Sequence, residues 1–362
     1  MLEEIIDFAS ISSHSLDITG LGKAAKWLED KFAPLADKHE KKNLPPFHDL
    51  DEEGHWKTHP VGQLLLFSKE RKQAPIQLLL IGHYDTVYKE LFPIKRENDL
   101  LFGPGVADMK GGIVLMLNLL RWIESSPLKD KIGWQVALNP DEEIGSPSSG
   151  PVLQSLAKGK TLGLVFEPSL PSGAVVSTRP GSKTLVIEAF GKTGHAGRDA
   201  KTGRNALIAL SEALLYFSSL QDLKKGITVN PGWMRGGVAA NVIPDKAVLV
   251  VNIRGEIAND WKAIEEIEKK REVQLKITEK SNRPPRHCLP QTKKYLELLG
   301  LPAEHSFGVS DSNLLEAVGL PTLDGLGPTG IHLHSPHEHL VISSLEPRLE
   351  KLKQFCNLLV LG

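Results

Sequence analysis

Cysteine is scarce: the chain has 362 residues and two cysteines, Cys288 and Cys356. Neither belongs to a CxxC spacing, which excludes a cysteine zinc site and argues against a disulfide framework. The expected compartment is therefore reducing, with the cytosol as default. Long apolar runs are missing too, since no stretch reaches the roughly 18 apolar residues that a membrane span requires. The N-terminus, Met1-Leu2-Glu3-Glu4-Ile5-Ile6-Asp7, is acidic and amphipathic and lacks the basic and apolar regions of a signal peptide. Neither sign of charge dominates. The net charge is −1, which leaves no electrostatic footprint for nucleic acid or an anionic membrane. Internal repeats and low-complexity segments are absent. A P-loop is absent as well: the glycine-rich stretch from Phe102 to Gly112 has a different spacing, and its Asp108 would repel a phosphate unless a metal intervened.

Two stretches organise what is there. The first runs from Gln77 to Val87 and contains Leu78-Leu79-Leu80-Ile81-Gly82-His83-Tyr84-Asp85. The second runs from Gln135 to Gly145 and contains Val136-Ala137-Leu138-Asn139-Pro140-Asp141-Glu142-Glu143. Each is an apolar run of strand length that ends in metal-ligand chemistry. Continuous apolar runs read as buried parallel strands, and ligands in open α/β sheets sit beyond the carboxyl ends of such strands.

The rest of the pattern alternates. Residues 3–36 read as helical, and Val61 to Phe67 and Ile76 to Ile81 read as strands. The glycine turn at 103–112 opens an apolar helix, Ile113 to Ile123. Strands follow at Trp134 to Leu138 and at Leu162 to Phe166, the latter ending in Glu167-Pro168. Residues 37–60, with His48, His55 and His59, read as a solvated loop or edge hairpin, because no carboxylate lies at ligand spacing. Near Arg179-Pro180-Gly181 the pattern changes. A strand (Thr184 to Gly191), a helix (about Asn205 to Phe217), two strands (Ile227 to Val229, Ala247 to Ile253) and a charged helix (Asp260 to Glu272) give a β-α-β-β-α order. That order suggests a small α+β sandwich inserted into a larger α/β domain. Residues 292–362 return to the first pattern.

A hydrolytic metal site needs His or carboxylate ligands and an open position for water. The candidates are His83, Asp108, Glu143, Glu167 and one late histidine. Five N and O ligands exceed one tetrahedral zinc and suit two metals bridged by a carboxylate, about 3.5–4 Å apart; zinc is favoured, and cobalt or manganese also fit. Asp85 is placed to accept from His83 and fix its tautomer. Glu142 and Glu143 could form a solvated acidic turn. Three acids at the end of a buried strand instead call for a cation, and adjacent residues point opposite ways, so one Glu can bind metal while the other faces substrate. His332, His334, His337 and His339 leave the late ligand open.

Together these motifs resemble the M20 family of co-catalytic metallopeptidases: Gly82 to Val87, Gly103 to Gly112, Asp141 to Gly145, Glu167-Pro168, Gly194-His195-Ala196-Gly197, Gly236-Gly237 with Asn241-Val242-Ile243-Pro244, Ser310-Asp311 and the His334 region. The resemblance implies a zinc-peptidase-like catalytic domain with a mixed sheet flanked by helices, at 1–178 and 287–362. It also implies an inserted ferredoxin-like lid and dimerisation domain at 179–286. His83 and Glu167 would bind one metal, Glu143 and His334 the other, with Asp108 bridging. His334 is preferred to His332 because His334-Ser335 follows the glycine turn at the family's distance and Glu338 trails it. Glu142 would be the general base, passing a proton from water to the leaving amine. His195 resembles a lid histidine that stabilises the oxyanion in the partner subunit's site. Asn241, Arg254 and Arg283 would bind substrate, Arg283 through a carboxylate; for Arg254 and Arg283 the alternative is a surface arginine. A cis bond between Asp108 and Met109 is implied. The features at Glu167-Pro168, Tyr88 and Arg179-Pro180-Gly181 look most like the glutamate carboxypeptidase branch, with two zinc ions per subunit, a peptide or N-acyl amino acid as substrate and a homodimer as assembly. Acetylornithine deacetylases and succinyl-diaminopimelate desuccinylases share the same motifs.

Overall fold

The computed structural model describes residues 1–256 and 261–361. The chain forms two compact units. One comprises Met1–Phe47, His59–Arg179 and the chain from Arg286 onward; the other comprises His48–Thr58 and Pro180–Pro285.

The first unit is built on a six-stranded mixed sheet. Its strand order is Lys38–Lys42, Leu64–Lys69, Ile132–Asn139, Ile76–His83, Leu162–Val165 and Thr322–Leu323. The first two junctions are antiparallel and the remaining three parallel. Both faces are covered, which is why the central strands read as unbroken apolar runs rather than alternating ones. Leu78, Leu80, Val136 and Leu138 pack on one side with the helices Leu2–Ala9, Ile18–Phe32, Gly112–Ser125 and Leu345–Leu361. Leu79, Ile81, Ala137 and Val165 pack on the other with Leu153, Leu315 and Leu320. Parallel pairing aligns the strand ends: His83 stands opposite Asn139, and Ile81 opposite Val165. The residues that follow these strands therefore emerge along one edge.

Residues 3–36 are not one helical stretch. The helix Leu2–Ala9 ends, and Asp17 caps a second helix by accepting from the Gly20 amide at 3.0 Å. The break has a use. Ser15 N donates to Thr86 O (3.3 Å) and Thr86 N to Ser13 O (2.9 Å), so the intervening backbone braces the loop after His83.

The second unit carries a four-stranded antiparallel sheet ordered Thr228–Gly236, Lys246–Arg254, Ser182–Phe190, Gln274–Arg283. Helices Ala206–Ser219 and Lys262–Arg271 cover one face, where Ile187, Leu249 and Val251 meet Ala213, Phe217 and Ile264. The expected helix start at Asp260 lies outside the described residues. A final strand, Gln274–Arg283, completes a β-α-β-β-α-β order; it is mostly polar, with only Leu275 and Ile277 apolar, which hid it from an apolar-run reading. Phe47–Leu50 and Trp56–His59 form a hairpin whose tip belongs to this unit. Asp49 pairs with Lys280 at 2.5 Å, Arg235 Nε donates to Glu52 O at 3.1 Å, and Gly54 sits so close to Trp233 that a Cβ there would approach it to 3.1 Å.

Candidate metal centre

Each candidate ligand in the first unit lies just beyond a strand or in a tight loop. His83 ends its strand. Glu142 and Glu143 open a 3₁₀ turn three residues past Asn139. Glu167 follows the Leu162–Val165 strand by two residues. Asp108 lies in the segment Val106–Gly111, and its bond to Met109 is cis, as the resemblance implied. His334 stands in the loop between Gly330–Ile331 and His339–Val341 with φ of +59°.

These residues meet. Nε2 of His83 is 3.1 Å from Oδ1 of Asp108 and 3.8 Å from Oε1 of Glu167. Nε2 of His334 is 3.2 Å from Oδ2 of Asp108 and 3.1 Å from Oε2 of Glu143. In each triad the ligand atoms lie within 4.8 Å of one another, and Asp108 belongs to both through different oxygens. Of the four late histidines, His334 belongs to a triad among the described residues, and His332, His337 and His339 belong to neither. His48, His55 and His59 are also outside both triads.

The electrostatics fit a cation. Burial and the neighbouring Asp108 push Glu143 up to about 8, against a lowering from His334. Burial and Asp108 likewise push Glu167 well above the ordinary carboxylate range. Burial lowers His83, but Asp108 and Asp85 outweigh it and hold the imidazolium. Bonds to Asp108 and Glu143 raise His334 to about 11. Asp108 itself stays ionised, since His334 and His83 overcome its burial. Buried like charges that must keep protons in the absence of a cation are a donor set suited to divalent metals.

The support around the ligands is extensive. Asp85, fully buried, does more than orient His83, whose Nδ1 lies 3.0 Å from the Asp85 carbonyl and 3.3 Å from its carboxylate. The same carboxylate accepts from the amides of Glu142 (3.2 Å) and Glu143 (3.1 Å) and from Ser15 Oγ (2.7 Å). One side chain thus fixes a ligand histidine and the acidic turn together. Asp311 accepts from Ser146 Oγ (2.5 Å) and Asn139 Nδ2 (2.8 Å), anchoring the far end of that turn. Gly112 lies against Phe166 O, where a Cβ would come within 1.9 Å, so only glycine lets the helix approach the Glu167 strand end.

In comparison with known proteins, the model for peptidase family M20/M25/M40 matches residues 79–357. The chain belongs to this family. It is 29% identical to carboxypeptidase G2 of Pseudomonas sp. over 296 residues, 75% of this chain and 71% of that one. It is 26% identical to a protein named succinyl-diaminopimelate desuccinylase from Mycobacterium tuberculosis over 296 residues, 77% of this chain and 82% of the other. The fold matches an M20 family metallo-carboxypeptidase of Sulfolobus solfataricus with a TM-score of 0.74 at 16% identity, covering 100% of this chain and 99% of that one. Membership makes this M20 chain a hydrolase of the peptide- and amide-bond class, in a family that is metal-dependent. No helix among the described residues is long and apolar enough to cross a membrane.

The remaining residues expected to act in this M20 chain lie in the second unit. His195 is exposed, and its Nδ1 accepts from the amides of Gly197 (3.1 Å) and Arg198 (3.3 Å). Asn241 is its neighbour across a short ladder, for its carbonyl accepts from Ala196 N (3.0 Å) and His195 pairs with Val242. Arg254 and Arg283 flank Ser182 from the two sides of its strand. Arg283 is 5% exposed, which rules out the surface-arginine alternative there. Reading by motif missed Ser15, Tyr88's hydroxyl contacts and the role of Glu338. The signal for Glu338 was its place four residues after His334, in a stretch otherwise weighed for histidines.

Proposed function

We propose that this chain is a di-zinc hydrolase that cleaves an amide bond to release a C-terminal amino acid such as glutamate. The observation that carries this reading is the pair of ligand triads sharing Asp108. His83 and Glu167 would hold one ion and Glu143 and His334 the other, with Asp108 available to both; cobalt or manganese would fit the same donors. When bound, the ions neutralise the buried carboxylates and lend Lewis acidity toward the scissile carbonyl.

The chain's own groups do the rest. Glu142 takes the proton of the attacking water and delivers it to the leaving amine. Asp85 holds the amides of Glu142 and Glu143 at the start of a 3₁₀ turn, where adjacent side chains stand about 120° apart rather than opposite as in the extended chain the sequence suggested. His195 donates to the developing oxyanion of the partner subunit's site. Asn241, Arg254 and Arg283 grip the substrate, with the planar guanidinium of Arg283 suited to a terminal carboxylate. The homodimer uses the inserted unit as lid and contact surface. Ile208 and Leu215, two turns apart on one helix, are 47% and 67% exposed and supply apolar area for it. Both cysteines are buried and free, in keeping with a cytosolic setting.

Similarity to carboxypeptidase G2 supports peptidase activity, and similarity to the desuccinylase supports a second reading, deacylation of an N-acyl amino acid by the same machinery. A hydrolysis screen with a chelated control separates them. Its panel holds peptides and N-acyl compounds ending in glutamate, N-acetylornithine, N-succinyl-diaminopimelate and simple dipeptides. Chelator-sensitive release of C-terminal glutamate is the expected result. Activity confined to the acyl-amino acids would transfer the protein to the deacylase branch.

A further inference from the structure

We infer that Glu338 is the positioning residue that joins three ligand-bearing loops into one metal centre. Its carboxylate is fully buried and completely occupied. Oε1 accepts from the amides of Ala107 (2.9 Å) and Asp108 (3.0 Å). Oε2 accepts from the Gly105 amide (3.2 Å) and the Tyr88 hydroxyl (2.5 Å). An ionised carboxylate offers about four acceptor positions, and four donors fill them. Glu338 is therefore an organiser of the centre and has no oxygen left to act as a ligand.

The three loops come from distant parts of the chain. Tyr88 lies five residues beyond His83. Gly105, Ala107 and Asp108 make a concave row of amides around the bridging aspartate, made possible by Gly105 at φ +71°, where a Cβ would also strike Thr86 at 2.7 Å. Glu338 belongs to the His334 loop, and its own backbone closes that loop: its amide donates to Ser335 O (3.0 Å) and its carbonyl accepts from Gly103 N (3.2 Å). The Tyr88 hydroxyl also lies 3.0 Å from Ser335 O. The next residue, His339, pairs with Phe102 in an antiparallel ladder. Asp108 reaches His83 with one oxygen and His334 with the other, so its loop must be fixed against both at once. Glu338 makes both attachments. Partners that orient a ligand in this way typically matter 10–100-fold for metal affinity.

The inference rests on the di-metal reading, and the experiment separates the two. Apo protein is titrated with Co²⁺, following heat and the visible spectrum of the bound ion, with the melting temperature of the metal-free protein as control. Wild type is expected to bind two ions per chain. Glu338→Gln keeps the shape but turns an amide N–H toward the Gly105 amide. It is expected to weaken at least the ion held by Asp108, Glu143 and His334 by about tenfold or more, with an altered spectrum. Tyr88→Phe keeps the three backbone bonds and is expected to give a smaller loss in the same direction; it carries the test if Glu338→Gln does not fold. Wild-type affinities and spectrum in the folded variant, with only a lower melting temperature, would overturn the role of Glu338 and leave the di-metal reading standing. Failure of wild type to bind two ions would overturn both.

Discussion

Glu142 and Glu143 are chemically identical neighbours separated by what each one faces. Glu143 lies 3.1 Å from His334 in a triad, while Glu142 is in neither. Glu142→Ala is therefore expected to lower turnover by roughly 10²–10⁴-fold, the usual worth of a positioned acid–base group, with zinc content unchanged. Retained turnover, measured beside metal analysis, would remove Glu142 as the base. The protonation of the triads makes a second prediction. Without a cation, Glu143 holds its proton to about pH 8 and His334 to about pH 11. Metal must displace those protons, so apparent affinity is expected to rise from pH 6 to pH 8. Titrations in buffers of different ionisation enthalpy would register the released protons, and an affinity that fell with pH would contradict the assignment. Among the candidate ligands, His83, Glu143 and Glu167 were legible in the sequence because they follow apolar runs, whereas Asp108 stood out by its glycine turn and His334 only through the family resemblance. Glu338 was visible only as a residue trailing His334, and its role was not legible, since its donors at Gly105, Ala107 and Asp108 are more than two hundred residues away.

At the scale of elements, the strands that position the site were legible and their supports were not. Continuous burial on both faces gave Ile76–His83 and Ile132–Asn139 an unmistakable pattern. The edge strand Lys38–Lys42 and the strand Gln274–Arg283 are mostly polar, and their places come from pairing rather than composition. The two segments where the chain leaves and re-enters the first unit are themselves paired. Arg179 N donates to Arg286 O (3.1 Å) and Arg286 N to Arg179 O (3.0 Å). Beneath them Asp324 accepts from Arg179 Nε (2.6 Å), Ser310 Oγ (3.0 Å) and Ser312 Oγ (2.5 Å). Removing one partner of a buried ion pair costs about 3–5 kcal/mol, and Asp324→Asn is expected to lose stability on that scale in denaturant melts. Burial opposes ionisation of Asp324, but Arg179 and Arg286 prevail and lower its pKa. Its contribution is thus complete above the ordinary carboxylate value of 3.8 and lost as pH falls below it through the lowered value. Asp324→Asn should remove that part of the acid-side decline. A variant as stable as wild type across the range would show that the pair contributes nothing net.

For the whole molecule, the proposed dimer has His195 of each subunit serving its partner's site. Glu142→Ala and His195→Ala proteins, each strongly impaired alone, should regain part of the activity when mixed under conditions that exchange subunits. Mixtures as inactive as the parents, despite exchange shown by mass, would place His195 outside catalysis in trans. The hairpin tip His48–Thr58 was unreadable at this scale: its sequence belongs between strands of the first unit, yet its contacts with Lys280, Arg235 and Trp233 assign it to the second. Long-range pairing of that kind leaves no periodic trace. The pair of triads hinged on Asp108 is tested most directly by a metal count. Zinc-loaded, desalted wild type analysed by mass spectrometry is predicted to carry two ions per chain, and Asp108→Ala to lose both. One ion in wild type, or two surviving in Asp108→Ala, would contradict a shared bridging aspartate.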